Sequence, residues 1–338
     1  MMSYQTITIK DVAKHAGVSS ATVSRVLAQK PYVRQDLREK VLASVTALEY
    51  KPSRIAQSLR KQHSKVIGLV IGDIRNPFFT TLARAVEDIA YQHDYAVFLC
   101  NSDEDPQKEA LYVNILVAEN VAGIIIAPTQ AQSPTYQNLL NSGTPLVALD
   151  RRIRNLDIDT VLSDNYEASY KLTNHLIAQG HRRIAAIMSH LSITTGQERL
   201  EGYKQALADH KLLFDKTLVL TGKPSEQDGY ELAKKLLKQK PLVDAIFVGT
   251  KLMTLGVFRA LQEENIALPK DIMLASFDQL DWLPRQYAEL HLSFIEQPTY
   301  MLGETATHLL LTRIENPNRP VQRIILNSKL NVPPCVSA

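Results

Sequence analysis

The sequence has little of what secreted, membrane-embedded or cofactor-dependent proteins carry. Only two cysteines occur among 338 residues, Cys100 and Cys335. A pair so distant suits incidental or buried thiols in a reducing cytoplasm better than a disulfide framework. No run approaches the ~18 uninterrupted apolar residues of a membrane helix. The first twenty residues, MMSYQTITIKDVAKHAGVSS, hold no apolar core of signal-peptide type. There is no glycine-rich loop ending in Gly-Lys-Ser/Thr, no HExxH and no Cys-x-x-Cys, and the nine histidines are scattered. These absences argue against nucleotide hydrolysis, zinc hydrolysis and thiol redox chemistry. No enzyme activity, cofactor or metal is expected.

What is present is a chain of about two to three domain lengths. Apolar residues make up 45% and charged residues 22%, so the chain can bury more than one core and is not disordered. The net charge of +3 is unevenly spread. Residues 1–65 hold 12 Lys+Arg against 4 Asp+Glu, leaving 26 basic and 31 acidic residues for the remainder. A basic head on a mildly acidic body suggests a head that meets a polyanion.

The head reads as short helices. Thr8, followed three residues later by Asp11, makes a capping box; Ile9, Val12 and Ala13 then fall at helical spacing, and Ala16-Gly17 ends the element. Ser19 caps a second helix reaching about Leu27, with Val23, Val26 and Leu27 inward. Two short helices joined by Ala16-Gly17-Val18-Ser19 fit a helix-turn-helix, whose second helix enters the major groove. Its outward residues are Ser20, Ala21, Thr22, Ser24 and Arg25. A third helix spans residues 36–50, with Leu37, Val41, Val45 and Leu48 inward and Arg34 where a capping residue would stand. Pro52 closes it. In the segment SRIAQSLR after it, Arg54, Leu59 and Arg60 have no core to join.

TIKDVAKHAGVSSATVSRVL followed by LEYKPSRIAQSLR resembles the DNA-binding head and hinge of the lactose/galactose repressor (LacI/GalR) family of bacterial transcription regulators. The resemblance implies that Ser20, Ala21 and Arg25 face bases. It also implies that Arg54 and Leu59 sit in a hinge helix, where Leu59 and its mate from a second subunit wedge a minor-groove step. The candidate DNA contacts are therefore Thr8, Ser19, Ser20, Ala21, Thr22, Ser24, Arg25, Arg54, Leu59 and Arg60.

Beyond residue 65, seven apolar runs alternate with amphipathic helices: 66–72, 95–101, 123–128, 145–150, 183–189, 245–249 and 272–278. Runs of this kind suit buried parallel strands, too many for one small sheet. The expected fold is an α/β two-lobe body with a small all-α helix-turn-helix domain (1–51) and a hinge helix and linker (52–65) ahead of it. The resemblance extends into the body through IRNPFF, GHRRIAAI and QERLEGY. It implies a periplasmic-binding-protein-like fold over 66–338 whose chain crosses between lobes near 163, 293 and 321. The N-lobe is then about 66–163 and 293–320, and the C-lobe about 164–292 and 321–338.

Ligands of open α/β sheets lie outside the carboxyl ends of the strands. Those ends collect aromatic rings, carboxylates and guanidinium groups, the mixture sugars require. The candidate effector contacts are Phe78, Phe79, Asp150, Arg151, Thr195, Arg199, Thr250, Lys251 and Asp278. Duller roles exist for several: Asp150 and Asp278 as turn caps, Arg199 paired only with Glu198 or Glu201, Arg151 and Lys251 solvated. Where most of the family has Asn-Asp, this chain has Thr250-Lys251. With Arg151 and Arg199, that change suggests an electropositive pocket for a sugar acid or sugar phosphate. A neutral sugar and a protein co-regulator are the alternatives, and a transport receptor a remote one. Strand-end carboxylates also serve glycosidases, but the attached head argues for regulation. The expected protein is a cytoplasmic homodimeric repressor of a carbohydrate-utilisation operon that binds a palindromic operator in double-stranded DNA.

Overall fold

The structure, a computed structural model, describes residues 7–27, 30, 32–48, 50, 64–279 and 292–332. Contacts divide the chain into two units, Met1–Ser64 and Lys65–Ala338.

The first unit contains helices α1 (Ile9–Ala16), α2 (Ser20–Leu27) and α3 (Gln35–Ala47). The Asp11 carboxylate accepts the Thr8 N–H at 2.8 Å and the Thr8 hydroxyl at 2.6 Å, which holds its pKa below the usual carboxylate range. Gly17 ends α1 at φ +64°, in the left-handed region that glycine enters without penalty. Ser19 Oγ accepts the Thr22 N–H at 3.1 Å and so starts α2. Val12, Ala13, Val23, Val26 and Val41 form the small core, flanked by Val45 and Leu48. Leu37 is only half-buried. The buried Ser44 hydroxyl takes an inward place instead, contacting the His15 ring nitrogen at 3.0 Å. Arg34 makes no side-chain cap of α3 and instead pairs with Asp36 at 2.7 Å.

The second unit continues with β1 (Val66–Ile71), α4 (Pro77–Gln92), β2 (Ala96–Asn101), α5 (Pro106–Ala118), β3 (Gly123–Ile126), α6 (Pro134–Asn141), β4 (Leu146–Leu149) and β5 (Asp159–Ser163). It then runs through α7 (Asn165–Ala178), β6 (Ile184–Ser189), α8 (Thr194–Asp209), β7 (Val219–Gly222), α9 (Glu226–Leu237), β8 (Ala245–Val248), α10 (Lys251–Glu263) and β9 (Met273–Phe277). The final elements are β10 (Ser293–Glu296), α11 (Thr299–Glu315), β11 (Arg323–Leu326) and β12 (Lys329–Asn331). Three helices start alike, with a polar cap followed by proline: Asn76-Pro77, Asp105-Pro106 and Ser133-Pro134. The cap oxygen takes an unpaired N–H, and proline at the first position has none to lose.

One sheet runs β11-β5-β4-β3-β1-β2 and the other β12-β10-β9-β8-β6-β7. Without β11 and β12, the two orders are the same parallel pattern repeated. Each sheet is covered on both faces, the first by α4 and α11 on one side and α5 and α6 on the other. The second is covered by α7 and α8, and by α9 and α10. Double coverage is why the expected inner strands read as solid apolar runs, whereas the edge strand β2 is largely exposed. The chain passes between lobes after β5, between β10 and α11, and between β11 and β12. β10 thus pairs in the second sheet and β11 in the first, so the later crossings fall near 297 and 327 rather than 293 and 321. The reason is pairing partner: β10 lies beside β9, and β11 beside β5.

Candidate functional site

On α2, Val23 and Val26 face the core, while Ala21 and Arg25 are exposed and Ser20, Thr22 and Ser24 are half-buried. Thr8 and Ser19 are also exposed. The face is small, polar and ends in a guanidinium, so a groove edge can approach its backbone closely. Arg54, Leu59 and Arg60 lie outside the described residues.

Between the lobes, a narrow cleft with about 40 Å³ of enclosed space is lined by Phe78, Phe79, Asp150, Arg151, Thr195, Arg199, Thr250 and Asp278. Lys251 lines an adjoining pocket with Phe78 and Asp278. Only 6% exposed, Lys251 does not point to solvent as its duller reading required.

Asp150 and Asp278 follow the central strands β4 and β9 in left-handed backbone, at φ +67° and +85°. Such backbone costs of order 1 kcal/mol or more and persists where the surroundings impose it. Asp278 accepts Gln297 Nε2 at 2.6 Å. Asp150 is buried, lies 3.5 Å from Arg151 Nε, and its Oδ1 accepts no hydrogen bond. Burial raises its pKa to about 6; Arg151 and Arg199 oppose the rise, while Asp278 and Glu104 add to it.

Arg199 projects from α8 beneath the cleft. Its Nε donates to Asn165 Oδ1 at 2.9 Å, Nη1 to the Gly249 carbonyl at 2.6 Å and Nη2 to Gln297 Oε1 at 3.5 Å. Its guanidinium stacks 3.6 Å from the Phe277 ring centre. Glu198 and Glu201 therefore do not account for it. Burial lowers its pKa, opposed by Asp278 and Asp150. Arg151 is held by Glu104, Nη1 and Nη2 each donating to one carboxylate oxygen at 2.7 Å, and Nη1 also donates to the Pro128 carbonyl at 3.1 Å. Burial opposes its charge, but Glu104 together with Asp150 and Glu109 more than offsets that and raises its pKa. Phe78 and Phe79 meet edge to face at 5.2 Å, and Phe79 also lies under the Arg151 guanidinium.

The cleft carries both signs of charge rather than positive charge alone, with Lys251 in the adjoining pocket. Among the described residues lining the cleft, Glu104, Asp150 and Asp278 face Arg151 and Arg199. Sequence reasoning missed Glu104, Asn76 and Gln297. Asn76 was readable as the cap before Pro77. Gln297 lies at a lobe crossing, and Glu104 reaches the cleft through a left-handed turn, so neither carried a local signal. Across the cleft rim, the Arg152 N–H donates to Thr194 Oγ1 at 2.9 Å and Arg152 pairs with Glu198 at 3.1 Å.

No helix among the described residues is long and apolar enough to cross a membrane, and no cluster of acidic, histidine or cysteine side chains among them is suited to hold a metal.

The family model for periplasmic binding proteins and the sugar-binding domain of the LacI family matches residues 64–330, and that for bacterial regulatory proteins of the lacI family matches 8–53. The chain is 37% identical to the ribose operon repressor of Halalkalibacterium halodurans over 96% of both proteins. It is 34% identical to the HTH-type transcriptional repressor PurR of Haemophilus influenzae, over 97% of this chain and 96% of that one. Among solved structures, it is similar to the Lac repressor dimer bound to operator and the anti-inducer ONPF. The TM-score is 0.79 at 25% identity, covering 96% of this chain and 98% of that one. The chain therefore belongs to the lacI family of bacterial regulatory proteins, as a DNA-binding transcriptional repressor rather than an enzyme.

Proposed function

We propose that this repressor works in the cytoplasm as a homodimer on a palindromic operator in double-stranded DNA, and that a small uncharged sugar between the lobes sets its DNA affinity. A single α2 reads too few base pairs, and two-fold symmetry matches a palindrome. In this reading Ser20, Ala21 and Arg25 read bases; Thr8, Ser19, Thr22, Ser24, Arg54, Leu59 and Arg60 support them. The effector contacts are Phe78, Phe79, Asp150, Thr195, Arg199, Thr250 and Asp278, with Arg151 and Lys251 at the margins.

The observation that carries the effector class is the buried Asp150 carboxylate. Its Oδ1 accepts no hydrogen bond, and it stands beside Asp278, Arg199 and the two phenylalanine rings in one cleft. Vicinal hydroxyls donate to such carboxylates and accept from such a guanidinium, while the ring takes the C–H face. An acid or phosphate would bring further negative charge to a lining already holding three carboxylates among its described residues. The ribose operon repressor relative makes a pentose the first compound to try.

The test is thermal melting and calorimetry against D-ribose, other neutral sugars, their acids and phosphates, and purine bases. The operator is selected from a random DNA pool, and each ligand that binds is assayed for its effect on operator affinity. A neutral sugar at ~100 times its dissociation constant should add about 2.7 kcal/mol to native stability. Tighter binding of an acid or phosphate than of any neutral sugar would overturn the effector class.

A further inference from the structure

Glu104 enters the cleft by an unusual route. It leaves the turn after β2 at φ +57°, with its N–H donating to the Gly72 carbonyl at 3.0 Å. Its carboxylate then lies directly over Gly72. A Cβ at that position would stand 2.1 Å from Glu104 Oε1 and 2.9 Å from the Phe79 ring, so only glycine leaves the acid its place. The side chain remains 19% exposed and lines the cleft, while the arginine it grips is 5% exposed. The opposite wall lacks this arrangement: the bonds from Arg199 go to an amide oxygen, a carbonyl and Gln297.

We propose that Glu104 is a specificity-determining residue: by closing a bidentate pair on Arg151 over Gly72, it withdraws that guanidinium from the ligand and makes the cleft refuse anions. This deepens, and rests on, the neutral-sugar reading. An anion approaching Arg151 must either displace Glu104, leaving a carboxylate poorly solvated and unpaired, or lie against its charge. A hydroxyl meets neither obstacle, because it can donate to the remaining lone pairs of Glu104. Without the carboxylate, the same planar fork becomes a bidentate anion receptor.

The experiment compares the full-length wild type, Glu104→Gln and Glu104→Asp by calorimetry and melting with D-ribose, ribose 5-phosphate and inorganic phosphate. In Glu104→Gln, affinity for ribose 5-phosphate relative to ribose should rise by about tenfold or more, a change of about 1.4 kcal/mol. Inorganic phosphate should raise its melting temperature but not that of the wild type. Glu104→Asp keeps the charge and should keep the wild-type preference. An unchanged ratio in Glu104→Gln overturns the proposal, and so does a Glu104→Asp variant that takes anions equally well. If Glu104→Gln folds poorly, rescue by phosphate but not by sodium chloride at equal ionic strength supports the proposal, and no rescue overturns it. Failure of the wild type to bind any neutral sugar would instead defeat the effector reading. The inorganic phosphate comparison would still decide the role of Glu104.

Discussion

The two lobes repeat one strand order but treat their buried arginines differently. In the N-lobe, Arg151 meets a carboxylate of its own lobe, Glu104, in a bidentate pair at 2.7 Å. In the C-lobe, Arg199 is held by Asn165, the Gly249 carbonyl and the Phe277 ring, and carboxylates lower its energy only at longer range. The first cation is compensated whether or not the cleft is occupied. The second keeps its charge available. In the proposed reading one topology supplies a structural arginine on one side and a ligand-directed arginine on the other, and the difference lies in partners rather than in backbone.

The largest effect should come from Arg151→Met, which leaves Glu104 partly buried without its cation. Chemical denaturation should show a loss of about 3–5 kcal/mol, recovered in large part when Glu104→Leu is added. If Arg199→Met costs equal stability, the contrast between the walls is broken.

Asp150→Asn probes the charge the two arginines share. The folded pKa of Asp150, about 6, stands above its ordinary 3.8. Between those values the folded chain holds a proton that the unfolded chain has released. This group's contribution to stability therefore falls as pH rises through that window. Asp150→Asn should remove the fall and raise stability at pH 7 by about 3 kcal/mol at most, as read from denaturation at several pH values. Effector affinity in the wild type should weaken as pH drops below about 6, because protonation removes a hydrogen-bond acceptor.

Arg199→Met should act mainly on the ligand, reducing effector affinity by about 1.5–3 kcal/mol in calorimetry while operator binding without effector persists. Asn165→Ala loosens the same guanidinium without removing it, and about 1 kcal/mol of effector affinity should go. A larger loss than for Arg199→Met would show that Asn165 does more than orient its neighbour.

Much of the frame was legible because it rests on local rules. Thr8 with Asp11, Gly17 and Ser19 delimit the first two helices. Six of the seven expected strands are legible because a strand covered on both faces must be apolar throughout, as in GIII and AIFV; β2 is apolar although Phe98 and Leu99 are exposed. β5 escaped notice because its first residue is an aspartate. Asp159 is buried only because Arg313 and Arg319 reach it at 2.8 and 2.7 Å from far along the chain. The short strands β7, β10, β11 and β12 carry too little pattern to announce themselves, and pairing partners define them. Within the cleft, Asp150, Arg199 and Asp278 were readable as strand-end or helix-start residues beside the expected ligand position. Glu104 and Gln297 were not.

The sequence by itself determined the helix-turn-helix head, the α/β body and the ring of polar and aromatic residues at the strand ends, since caps, periodicity and apolar runs are properties of neighbouring residues. Only the tertiary structure decided the balance of charge inside the cleft. Glu104 lies 47 positions from Arg151, and Gln297 lies 98 from Arg199. A buried ion's energy depends on what stands within a few ångströms of it, and that proximity is created by packing rather than by order along the chain.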